Sequence, residues 1–242
     1  SYIIKFKKMK TNIKTTDKIS IQVNEGLATY STIDFGKVTF GAPISDTAFA
    51  AFKKLYASTD GDNWTKKWNI STNNLHEIGW FGVGIKGGHV ISLNLPSNKL
   101  NGILPNDIKD LPKLKTINFQ NNNLSGTLPD GITNLSDLES LDLSINNFEG
   151  NIPSGVANLL KLKKFAIAKN LFSGTIPSFL SDFPAIEHLD ISFNSFNKIE
   201  KKLYYNFTKT YIDLRNQIIQ DARIINLEGN QINVELPEIV KY

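Results

Sequence analysis

One phrase recurs five times between residues 93 and 199: LNLPSNKLNGILP, INFQNNNLSGTLP, LDLSINNFEGNIP, FAIAKNLFSGTIP and LDISFNSFNKI. The Asn in register falls at 98, 122, 146, 170 and 194, each 24 residues after the last. Pro105, Pro129, Pro153 and Pro177 keep the same step, as do Gly102, Gly126, Gly150 and Gly174. Chance does not hold several residue types in phase in this way. A fixed period of this length implies a unit that cannot bury its apolar face alone and stacks on its neighbours. The physics of each position follows. An L-x-L pair such as Leu141 and Leu143 points inward from a short strand that pairs in parallel with the next copy. The Asn stands where the chain turns inward, and its amide can satisfy backbone groups stranded by the bend. The Gly permits a turn with no side chain in the way. Later apolar positions, Ile132, Leu135 and Leu138 in one copy, fill the far side of the core from a helical or 3₁₀ turn. The strands are expected around 91–96, 115–120, 139–144, 163–168 and 187–192.

The pattern L-x-x-L-x-L-x-x-N-x-L is the leucine-rich repeat signature. The G-x-[IL]-P in its copies resembles the plant-type leucine-rich repeat, L-x-G-x-[IL]-P, of plant receptor ectodomains and many secreted bacterial proteins. Residues 46–88 are similar to the N-terminal cap of that class, a helix, a G-D-x-W turn and W-x-G-V, with Trp64, Trp68, Trp80, Gly61, Asp62, Gly82 and Val83 on the pattern. The resemblance covers roughly residues 46–199. It implies an α/β solenoid: a right-handed leucine-rich repeat superhelix with parallel strands on the concave face, an N-terminal helical cap and a small N-terminal β-module. The family often joins two Cys flanking W-x-G-V in a disulfide. Ile78 and Ile85 stand at those positions, and the chain has no Cys, so an apolar contact is expected to replace the link. Burying each Ile contributes about 1.5–3 kcal/mol, comparable with the few kcal/mol of a short-loop disulfide. Cys-free members of the class point to surface proteins of Bacteroidetes.

The ends read differently. Residues 1–43 alternate β-branched and aromatic residues with polar ones around a Glu25-Gly26 turn, and read as a small β-rich module. Gly41-Ala42-Pro43 marks a boundary. Residues 44–89 form the helix and Trp-rich cap, with Ser45 or Asp46 capping a helix to about Ser58 that shows Phe49, Phe52, Leu55 and Tyr56 on one face. The repeats occupy 90–199. Residues 200–242 read as a divergent repeat at Ile212-Asp-Leu214 followed by a strand cap that includes Ile225-Asn-Leu227 and covers the open edge. Ser1 is not an initiator Met, and the chain reads as processed or trimmed.

A search for chemistry finds little. Without Cys there is no zinc–thiolate site, Fe–S cluster or Cys nucleophile. The three His, at 76, 89 and 188, fit no metal spacing. Asp60-Gly61-Asp62-Asn63 lacks the later ligands of a calcium loop and reads as a turn. The file between the inward leucines, Asn94, Asn118, Asp142, Ala166, Asp190 and Asp213, is expected to be structural and not an acid–base site. The formal charge is +4. Six Lys against Asp17 lie in residues 1–18, so the basic character sits at one end and is a poor nucleic-acid footprint. No apolar run is long enough to span a bilayer. The chain is expected to be a non-enzyme without cofactor or metal.

Two functions remain. In the first, the concave face binds a partner, most readily a protein and alternatively a glycan, as solenoids do for extended ligands. The early strand positions are plain: Ser92, Asn94, Ser97, Thr116, Asn118 and Gln120. The later ones, Ile145, Lys164, Lys169, His188, Phe193, Tyr211 and Arg215, gain the aromatic and cationic residues that interfaces concentrate. The second reading is a spacer or adhesin stalk within a larger surface protein. The resemblance implies an extracellular or cell-surface monomer, with a lipid anchor as one means of attachment.

Overall fold

The computed structural model describes residues 18–19, 33–34, 44–71, 73, 80–200, 224–226 and 228–232. The chain divides into two compact units, Ser1–Gly41 and Ala42–Tyr242. In the first, β1 (Lys18–Ile19) pairs antiparallel with β2 (Ile33–Asp34).

The second unit opens with α1 (Asp46–Ser58). Ser45 is its N-cap, and the Ser45 hydroxyl accepts the Ala48 N–H at 3.1 Å, satisfying one of the amides a helix start leaves open. Phe49, Phe52, Leu55 and Tyr56 are all buried, as their spacing on one helical face predicts. They meet the three tryptophans. The rings of Trp64 and Trp68 lie 4.8 Å apart edge to face, and those of Trp68 and Trp80 stack at 5.3 Å. Two of the three indole N–H groups are anchored: Trp64 Nε1 donates to the Thr59 carbonyl at 2.7 Å and Trp68 Nε1 to the Phe81 carbonyl at 2.9 Å. The Asp60–Asn63 turn is a local hydrogen-bonded structure, with Asn63 Nδ2 donating to both Asp60 carboxylate oxygens and the Tyr56 hydroxyl donating to Asp62. Ile85 packs partly buried against the core; Ile78, its expected partner, lies outside the described residues.

Two sheets then run the length of the stack. The first takes β3 (Val83–Lys86), β4 (His89–Asn94), β6 (Thr116–Asn118), β8 (Ser140–Asp142), β10 (Lys164–Ala166), β12 (His188–Asp190) and β14 (Ile224–Asn226) in spatial order. All pairs from β4 to β14 are parallel, and β3 closes the N-terminal edge antiparallel to β4. Four of the expected strands shorten to three residues, within their expected windows. The second sheet is β5 (Asn101–Ile103), β7 (Asn123–Thr127), β9 (Asn147–Gly150), β11 (Leu171–Ile176) and β13 (Ser195–Ile199). The repeat glycines at 102, 126, 150 and 174 all have positive φ, between 74° and 119°, the region where a Cβ is unwelcome. Short 3₁₀ or α turns at 106–110, 130–133, 154–158 and 178–181 carry the chain back.

Between the sheets the core is apolar and continuous. Phe148, Phe172 and Phe196, one repeat apart, stack at 6.1 and 6.4 Å with rings nearly parallel. Beside them runs the asparagine ladder. Asn146 Oδ1 accepts the Leu124 N–H at 3.0 Å, and its Nδ2 donates to the Phe119 and Leu143 carbonyls at 2.9 and 3.0 Å. Asn122, Asn170 and Asn194 repeat this pattern. Asn98 turns its amide to the Lys66 backbone instead, tying the cap to the first repeat.

The C-terminal end differs from the expectation. The strand beside β12 is Ile224–Asn226, in parallel register with His188, Leu189 and Asp190. Ile225 and Asn226 thus belong to the stack itself; Ile212-Asp-Leu214 and Leu227 lie outside the described residues. Asn230 continues the ladder at a step of 36, with Nδ2 donating to the Ile191 carbonyl at 3.0 Å. The chain can lengthen one copy because the extra residues fall between β13 and β14, outside the strand that must stay in register.

Candidate functional site: the strand face of repeats three to five

Register across the seven-stranded sheet sorts the candidate residues into files. One reads Ser92, Thr116, Ser140, Lys164, His188 and Ile224. The next reads Asn94, Asn118, Asp142, Ala166, Asp190 and Asn226. Asn226 thus replaces Asp213 in the latter, and Ile224 takes the place beside His188 expected for Tyr211. Tyr211 and Arg215 lie outside the described residues.

The file of acids and amides is occupied with structure. The side-chain oxygens of Asn118, Asp142 and Asp190 accept the backbone N–H two residues on, at 3.0–3.1 Å, a turn that mimics a backbone bend. Asp190 also takes the Ser192 hydroxyl at 2.6 Å. Asp142, nearly buried, receives Lys164 Nζ at 2.7 Å through its second oxygen. Lys164 is therefore engaged, and its charge is partly matched before any ligand arrives. Among the described residues no group of three or more His, Cys, Asp or Glu is placed to hold a metal.

Ala166 breaks the file. Its neighbour two residues on, Ala168, is also small, where the flanking repeats carry Ser144 and Ser192. Both alanines are buried. In their files they stand between Asp142/Ser144 and Asp190/Ser192, next to the file that holds Lys164 and His188. Neither Ala168 nor the Lys164–Asp142 pairing was read from the sequence. The small residues were visible there, whereas a cross-strand ion pair requires the register.

Ile145, Lys169 and Phe193 belong to a different file, at the turn just ahead of the ladder asparagines. With Ser97, Asn121 and Gly229 they share positive φ, from 51° to 68°. Their backbones are held by the next repeat: the Ile145 N–H donates to the Ala168 carbonyl at 2.8 Å and the Lys169 N–H to that of Ser192 at 2.9 Å. This conformation costs an L-residue with a Cβ about 1–2 kcal/mol, and a β-branched residue such as Ile145 is a genuine outlier there. Ile145 and Phe193 are 39% and 42% exposed. Lys169 Nζ lies 5.7 Å from the Phe193 ring centroid, and the ring packs over Gly229. The structure thus joins Lys164 with His188 as strand neighbours, and Ile145, Lys169 and Phe193 as a ridge.

A third set of charges lines the sheet margin. Asp137 bridges Lys113 and Lys161, at 3.2 and 2.6 Å. Glu139 bridges Lys115 and Lys163, at 3.0 and 3.1 Å. Hydrogen bonds from Lys161 and then Lys113 hold the Asp137 carboxyl below its usual range, and Lys115 and then Lys163 do the same for Glu139. These ladders pair charge within the stack.

Residues 88–148 match the leucine rich repeat family model. No curated protein matches the chain significantly in sequence. Among solved structures, the chain is similar to the BIR3–SERK2 complex of Arabidopsis thaliana, with 25% identity over 74% of this chain and 91% of that one and a TM-score of 0.57. The ectodomain of the Arabidopsis thaliana receptor kinase SOBIR1 is 23% identical over 78% and 96%, with a TM-score of 0.61. The Arabidopsis receptor kinase HAESA, solved with the peptide hormone IDA and the co-receptor SERK1, is 25% identical over 78% of this chain and 30% of that one, with a TM-score of 0.61. Repeat pattern, strand topology and these likenesses agree on one fold: the chain forms a leucine-rich repeat solenoid with parallel strands and an N-terminal helix.

Proposed function

We propose that the chain is a non-enzymatic recognition module that holds a protein partner against the concave strand face of repeats three to five. The observation that carries this is the change along one file of the strand face, from Ser92, Thr116 and Ser140 to Lys164 and His188. On this face the first copies carry small polar residues and the later ones larger basic side chains, of which Lys164 also ties its repeat to Asp142 of the preceding one. The Asp142 and Asp190 carboxylates each accept a backbone N–H, which supports a structural and not an acid–base role for this file. HAESA, a protein of the same fold, was solved with a peptide hormone. Residues Tyr211 and Arg215 remain candidates for the rim of the same site. The setting we assign is a monomer, secreted or displayed at the surface of a bacterium of the Bacteroidetes class, by a lipid anchor in the displayed case. Among the described residues no helix is long and apolar enough to cross a membrane.

The test is selection of binders from a displayed library of random linear peptides against the full chain, followed by calorimetry. Selected peptides should lose at least about tenfold in affinity with Lys164→Ala or His188→Ala, as expected for residues near the centre of an interface. They should be indifferent to Ser125→Ala on the second sheet. Absence of any face-dependent binder would favour the spacer reading.

A further inference from the structure

The geometry points to a specific chemistry for the partner: an extended polypeptide segment that lays an apolar side chain against Ile145 and Phe193 and sets a carboxylate on Lys169. This rests on the recognition reading above and adds to it a second contact line, at the turn and not on the strands. The argument begins with backbone conformation. All six copies place one residue in the left-handed region ahead of the ladder asparagine. At Ser97, Asn121 and Gly229 the chain fills it with residues that adopt this conformation readily or suit a turn. At three consecutive repeats it uses Ile145, Lys169 and Phe193 instead. Strain held at an exposed site, where residues better suited to the fold are used elsewhere in the same chain, marks side chains kept for what they contact.

Charge then selects the partner. In these repeats Lys113, Lys115, Lys161, Lys163 and Lys164 each meet a carboxylate within 3.2 Å. Lys169 has no carboxylate within ion-pair distance among the described residues, and lies against the Phe193 ring. A cation over an aromatic face, beside exposed apolar groups, suits an acidic residue next to an apolar one. Successive strands are ~4.8 Å apart, so Ile145 and Phe193 are separated by about the reach of three residues of extended chain.

Two measurements test this. The first needs no ligand: Ile145→Asn copies the residue used at Asn121. It should raise the melting temperature, by about 2 °C or more. A lowered or unchanged value would mean that Ile145 is held for stability, and the strain argument fails. The second uses the peptides selected from the random linear library. They should carry Asp or Glu within three residues of Leu, Ile, Phe or Tyr, and lose at least tenfold in affinity with Lys169→Asn. Changing the peptide's acid to its amide should weaken binding to the native chain but not to the Lys169→Asn variant. Basic or uncharged peptides, or affinities indifferent to Lys169→Asn, overturn the inference. If those peptides still depend on Lys164 and His188, the ridge alone is wrong. If no peptide depends on either line, or if a glycan array binds where peptides do not, both readings fall.

Discussion

Asn194 and Asn230 donate to the same carbonyl, that of Ile191, at 3.1 and 3.0 Å. They are 36 residues apart in the chain and one step apart in the stack. Elsewhere that relationship spans 24 residues, as when Asn146 and Asn170 share the Leu143 carbonyl. The ladder, and not the spacing, is what the fold preserves.

Replacing a ladder amide with an isosteric apolar group should therefore be costly. Asn146→Leu leaves the buried Leu124 N–H without its acceptor, and the Phe119 and Leu143 carbonyls each keep only one of two ladder donors. A loss of about 1–3 kcal/mol is expected, read as a lower midpoint in urea or heat. An unchanged midpoint would mean that water or a shifted backbone satisfies those groups.

The aromatic spine offers a larger effect. Phe172 is fully buried between Phe148 and Phe196, so Phe172→Ala removes ring contacts on both sides and opens a cavity. About 3–5 kcal/mol is expected. Phe172→Leu, the residue type used at the same position as Leu124, should cost clearly less.

The charge ladders give a pH dependence whose sign is fixed. Asp137 and Glu139 have carboxyls held below their ordinary values in the folded chain. Their contribution is fully present above the unfolded carboxylate pKa and is lost as pH falls through the lowered folded one. Both are surface groups, so the effect is small and screened by salt. Melting temperature should decline more shallowly in Asp137→Asn than in the native chain as pH falls from about 5 to about 2. High salt should narrow that difference. Parallel curves at low salt would contradict the assignment.

Much of this was legible from residues alone. Phase fixed the strands, the asparagines and the inward leucines, because each must face the core in every copy. Ser45 and the tryptophans announced the cap for the same reason. At the C-terminal end Ile212-Asp-Leu214 imitates the inward pair at nearly the right distance, while the strand beside β12 is Ile224–Asn226. The ladder position decides between them: Asn230 follows Ile225 at the interval set by Asn146 after Leu141, whereas Gln217 stands there after Ile212. The left-handed turn at Ile145, Lys169 and Phe193 left no trace, since none of these side chains signals positive φ. Its one hint lay in their file-mates Asn121 and Gly229. The pairing of Lys164 with Asp142 left no sequence signal because the two lie 22 residues apart and become adjacent only through parallel register.

The most direct test of recognition at this face is to obstruct it. Ala166→Arg sets a long cation in the strand-face file between Asp142 and Asp190. Calorimetric titration of the native and Ala166→Arg chains with the same selected peptide should show a loss of about 100-fold or more, the scale of an interface hot spot, with an unchanged circular dichroism spectrum. An affinity within about twofold of the native value would contradict binding at this face and leave the solenoid as a spacer.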